Sequence, residues 1–146
     1  MLHVRVNVPA VPAAIEALAE GLVRLNVWYL EQFDARGADV PSLYRSGARY
    51  RREPVGQEWW ESAADLLGVL TRGSGDCEDM SAFRTAELRF TGEDEDARVK
   101  IVRTSRAFHA VVERGDGSIE DPSRILVAIE SARTGRPFNE IARRRP

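Results

Sequence analysis

The chain has 146 residues, 43% hydrophobic and 30% charged, which suits one globular domain and is too apolar for disorder. A formal net charge of -2 gives no basis for nucleic acid or an anionic membrane as partner, and no apolar run is long enough to span a bilayer. One cysteine excludes an intrachain disulfide, and the opening MLHVRVNVPAVPAA lacks the basic segment and continuous apolar stretch of a signal peptide, so a cytoplasmic location is expected.

Residues 2–8, LHVRVNV, alternate apolar and polar and predict a strand, with His3 an ordinary strand residue. Ile15, Leu18, Leu22, Leu25, Tyr29 and Phe33 then recur at three- and four-residue steps. That spacing predicts a long amphipathic helix, entered at Pro9 and Pro12 and stopped at Gly37. Strand and helix together occupy residues 2–36. Residues 37–58 show no clear period and predict an extended connector with a short strand at 48–52. Ser62 with Asp65 three residues on resembles a capping box and predicts a short helix over 62–70, broken by TRGSGD.

A second helix is expected from Cys77 to Phe90, with Met80, Phe83, Ala86 and Leu88 inward and a stop near Gly92. Arg84 and Arg89 fall on its non-apolar positions and read as surface partners of Glu87 or Glu93. EDED (93–96) is an acidic turn, and strands follow at 97–103, 108–114 and 118–121, the last two joined about Gly115-Asp116-Gly117. The tail, 130–146, reads as a peripheral helix fraying at its arginines. The expected core is about 60–126 of a single domain.

The lone Cys77 stands between acids, after a Gly-Ser-Gly-Asp turn, where a buried structural cysteine should have apolar neighbours. Free N–H groups and the positive dipole end of a helix start would stabilise a thiolate there. His109, on a later strand, is a base able to take the thiol proton, and Asp121 ends the next strand, where a carboxylate orients an imidazole. The pairing is testable by register. A turn centred on Asp116 sets Asp121 opposite Val111 and diagonal to His109 on one sheet face. A two-residue Asp-Gly turn puts them on opposite faces.

Gly75-Asp76-Cys77-Glu78-Asp79 heading a helix, then His109 on a strand before a hydrophobic run, then Asp121 followed by proline, resembles the transglutaminase-like superfamily. The likeness is to its bacterial cysteine proteinase branch and to short versions encoded in phage and prophage genomes, and it covers roughly residues 60–126. It implies an α+β fold with a papain-like core, the cysteine helix packed on a small antiparallel sheet. It also implies Cys77 as nucleophile, His109 as general base and acid, and Asp121 as orienter. The family acts on acyl groups, so a protein or peptide substrate is implied, cleaved at an amide or transferred to an amine.

An upstream Trp or Gln often helps form the family's oxyanion site, which nominates Gln57, Trp59 and Trp60 beside the Cys77 N–H. In some relatives the acids around the cysteine help bind calcium, which nominates Asp76, Glu78 and Asp79; no other cofactor is implied. Asp76 and Glu78 have a simpler reading as helix-start acids, and Trp59 and Trp60 as packing, although adjacent residues cannot both face one core. The alternative function is a structural or assembly protein, plausibly of a phage particle with other particle proteins as partners, that keeps the fold.

Overall fold

The computed structural model describes residues 11–40, 42–52, 60–62, 73–105 and 107–143. The expected strand at 2–8 with His3, the helix after Ser62, and Gln57 and Trp59 lie outside them. Pro12 opens α1 (Pro12–Ala35) at a position where no intrahelical N–H is required, and Gly37, at φ 67°, follows its end. Its buried stripe is Ala19, Leu22, Val23, Asn26 and Leu30, whereas Leu25 and Trp28 are exposed. The helix carries two apolar stripes. The one with the smaller side chains faces the next helix, whose Ala82 and Ala86 join the same core.

A 3₁₀ turn (Leu43–Arg45) leads to β1 (Arg49–Tyr50), inside the strand expected at 48–52. It pairs in parallel with β2 (Ser74–Gly75), part of what the sequence reads as a plain turn. Asp76 caps α2 (Cys77–Thr91), which ends at Gly92 in the left-handed region, φ 71°. β3 (Arg98–Arg103), β4 (Phe108–Glu113) and β5 (Ile119–Glu120) form an antiparallel sheet in that order. Val99, Ile101, Ala110 and Val112 are buried on the face toward α1 and α2.

β4 pairs with β5 through Val112–Glu120 and Glu113–Ile119, the register centred on Asp116. Asp121 then caps α3 (Pro122–Thr134), with Pro122 in the first turn and Gly135 at φ 69° after the last. This helix is absent from the sequence expectation. α4 (Phe138–Ala142) lies in the expected tail helix and buries Ile141 against the body. The described chain is thus a mixed α+β fold with a long helix and the cysteine helix on one face of a small antiparallel sheet. Among the described residues no helix is long and apolar enough to cross a membrane.

Candidate active site

Cys77 is the first residue of α2, reached from extended Asp76. Asp79, at the third helical position, turns back into the protein and is fully buried. One of its oxygens accepts the Asp76 N–H at 3.0 Å and the other the Glu61 N–H at 2.7 Å. The first bond closes the helix start; the second pins the Trp60–Ser62 segment against it. Burial raises the Asp79 carboxyl well above the ordinary carboxylate range, against the pull of its two N–H donors.

The partly buried Cys77 thiol donates to Glu78 Oε2 at 2.8 Å, and the Ala110 backbone of β4 acts on the sulfur to lower its pKa. The strand ladder explains the second contact. The Arg114 N–H bonds Ser118 on the β5 side. Alternate N–H groups of a strand point the same way, so that of Ala110 also faces this edge. The last β5 pair is Val112–Glu120, and beyond it the edge is open to the start of α2.

The environment of the sulfur overturns one expectation. Burial pushes the thiol pKa well up, and the carboxylates of Glu78 and Asp76 push it further; the Ala110 N–H opposes them and loses. The helix start alone would favour a thiolate, but two acids beside a desolvated sulfur outweigh it. The resting group is a neutral thiol whose proton goes to Glu78, where the sequence reading has it directed at His109.

On the neighbouring residue of β4, His109 Nε2 meets Asp121 Oδ2 at 2.9 Å. The carboxylate can only accept, so this nitrogen carries the proton and Nδ1 is the basic one. Asp121 Oδ1 accepts from Ser123 Oγ at 2.8 Å and from the Arg124 N–H at 3.1 Å. The bond to Asp121 raises the His109 pKa; burial opposes it, while Glu78 adds to it. For Asp121, burial acts upward but is outweighed by His109, the Arg124 N–H and Ser123, and its pKa falls.

Two residues unseen in the sequence reading complete this corner. The Arg51 N–H bonds Gly75 O at 2.8 Å, so the Arg49–Ser74 and Tyr50–Gly75 pairing carries β1 onward beside Asp76 and Cys77. Arg52 Nε donates weakly to Tyr50 Oη at 3.4 Å, and its positive charge acts on both Cys77 and His109. Burial raises the Tyr50 pKa; Arg52 opposes this, while Cys77 and Asp76 reinforce it. A short strand at 48–52 is expected from the sequence, but a parallel partner more than twenty residues later has no local signature.

Of the remaining candidates, Trp60 is partly buried and packs against the core. The Cys77 N–H belongs to the first turn of α2, where no i−4 carbonyl of the helix can reach it. The calcium set divides. Asp76, Cys77 and Glu78 offer ligand atoms within 4.8 Å of one another, but Asp79 is committed to backbone N–H groups. Calcium takes about six to eight oxygen ligands, so two carboxylates beside a sulfur do not fit it as a resident ion.

Comparison with protein-family models, with the curated proteins and with the solved structures gives no match to this chain.

Proposed function

We propose that this chain is a thiol acyl hydrolase of transglutaminase-like type with a papain-like core, cleaving a peptide or amide through an acyl group on Cys77. The observation that carries the reading is the 2.9 Å His109–Asp121 bond, made by the strand residue next to Ala110, whose backbone acts on the Cys77 thiol. A base and its orienter thereby stand one strand residue away from the backbone that acts on the thiol.

Once His109 has given up its extra proton the partners are neutral: a thiol whose pKa is raised and an imidazole whose Nδ1 is the basic nitrogen. As the sulfur attacks the acyl carbon, His109 Nδ1 takes the thiol proton and the carbonyl oxygen takes negative charge against the Cys77 N–H. The imidazolium is stabilised by Asp121. It returns the proton to the leaving amine as the C–N bond breaks, leaving a thioester on Cys77. Water, deprotonated by His109, then attacks the thioester, releasing the acid and restoring the thiol. An amine in place of water gives transamidation by the same steps. Capture of an acyl group on Cys77, and its loss in His109→Gln, tests the reading.

A second reading, a structural or assembly protein retaining the fold, has one observation in its favour: two carboxylates hold the resting thiol protonated.

A further inference from the structure

Glu120 and Asp121 are consecutive, and the strand pleat sends their side chains to opposite faces. Asp121 goes to His109. Glu120, opposite buried Val112, goes to the α2 side, and three residues from separate parts of the chain converge on it. The Tyr44 hydroxyl, from the 3₁₀ turn, donates to Oε1. Arg84 Nε, from α2, donates to Oε1 at 2.7 Å, and an Arg114 guanidinium nitrogen donates to Oε2 at 3.1 Å. Arg84 also bonds Glu87 at 3.0 Å and lies 5.3 Å from the centre of the Tyr44 ring.

Arg84 meets Glu87 and Glu93 as the sequence suggests, but its side chain is 13% exposed and that of Glu120 18%, so the group is not a solvated surface cluster. A desolvated pair of this kind adds little net stability, because removing its charges from water costs about what their attraction returns; its effect is on geometry. The geometry is specific. Arg84 lies seven residues after Cys77, two turns along the same side of α2. Glu120 is covalently joined to Asp121. β5 itself is only two residues long, too short a ladder to fix the position of Asp121.

We propose that Arg84 and Glu120, braced by Tyr44 and Arg114, form a positioning strut that holds Asp121 against His109 and holds both at a fixed distance from the cysteine helix. The strut rests on the reading of Cys77, His109 and Asp121 as one catalytic set, and none of its residues touches the reacting atoms.

The test is the NMR titration of the His109 ring in Arg84→Met, Tyr44→Phe and Asp121→Asn, each compared with the parent protein. Direct electrostatics and the strut act with opposite sign. Removing the Arg84 cation by itself raises a histidine pKa, whereas releasing Asp121 from His109 lowers it. The charged groups that act directly on His109, namely Asp121, Glu78 and Arg52, are intact in Arg84→Met and Tyr44→Phe. The expected result is a fall of about half a pH unit in Arg84→Met, in the direction given by Asp121→Asn, with Arg84→Lys recovering part of it. Tyr44→Phe, neutral for neutral, gives a smaller fall and serves if Arg84→Met does not fold. A folded Arg84→Met, or in its place Tyr44→Phe, with an unchanged or raised His109 pKa while Asp121→Asn lowers it overturns the strut and leaves the catalytic reading standing. If Asp121→Asn leaves His109 unmoved, the coupling is absent and both fall together.

Discussion

His109 and Asp121 are joined by a 2.9 Å bond between Nε2 and Oδ2, and Asp121 uses its other oxygen to cap α3 through Ser123 and Arg124. One carboxylate therefore orients the imidazole and starts a helix. The cap orients the carboxylate on its own backbone, and the contacts of the adjoining Glu120 are what would place that backbone against β4. The direction of each pKa shift follows from this geometry and carries consequences for stability.

His109 has a folded-state pKa above its unfolded value, so its contribution is complete at pH below the unfolded pKa and is lost as pH rises through the folded one. Asp121 is depressed, so its contribution is present above its unfolded pKa and is lost as pH falls through the folded one. The pair stabilises most in the mildly acidic window between these limits. His109→Gln is expected to cost about 1 kcal/mol or less there, given that both side chains are partly exposed, and less at alkaline pH. Urea unfolding of both proteins at pH 5.5 and pH 9 measures this; a cost that grows toward pH 9 contradicts the assignment.

Glu78 accepts the thiol proton at 2.8 Å and is the leading charged group raising the Cys77 pKa. Glu78→Gln removes the charge and keeps the shape. Alkylation of Cys77 by iodoacetamide at pH 7.5 is expected to accelerate about three- to tenfold. An equal or slower rate would mean that burial alone sets the thiol's reactivity.

Asp79 binds the backbone of both Asp76 and Glu61 from a fully buried position. Asp79→Ala orphans two N–H groups and is expected to cost about 2–4 kcal/mol in denaturant unfolding. Asp79→Asn should not restore the parent stability, because its amide nitrogen would face a donor. A loss under about 0.5 kcal/mol for the alanine variant would show that the two bonds do not hold the helix start.

The parts legible in the sequence are those with local signals. Alternation locates β3 and β4, Gly115-Asp116-Gly117 marks the hairpin turn while leaving two registers open, and the Gly-Ser-Gly-Asp run places Cys77 at a helix start. The α3 helix was also locally written, in Asp121-Pro122, the apolar Ile125, Leu126 and Ile129, and Gly135, but assigning Asp121 to the end of a strand hid its role as a cap. Other features depend on distant partners. Arg84 occupies a non-apolar helix position and looks solvated until Glu120, 36 residues later, is folded beneath it. Asp79 looks like any helix-start acid until Glu61, 18 residues earlier, is brought against it. The direction of the thiol proton is a matter of side-chain rotamers and leaves no trace in residue spacing.

The central claim is that His109, held by Asp121, activates Cys77 toward an acyl group. It is tested most directly by exposing the protein to an activated peptide ester, quenching in acid, and following the acyl mass on the Cys77 peptide across pH 5–9. The expected result is acylation of Cys77 that rises as His109 loses its proton and then levels off, with His109→Gln slower by about 100-fold or more. Equal acylation rates in the parent and His109→Gln, both rising only as the thiol itself ionises, would contradict it.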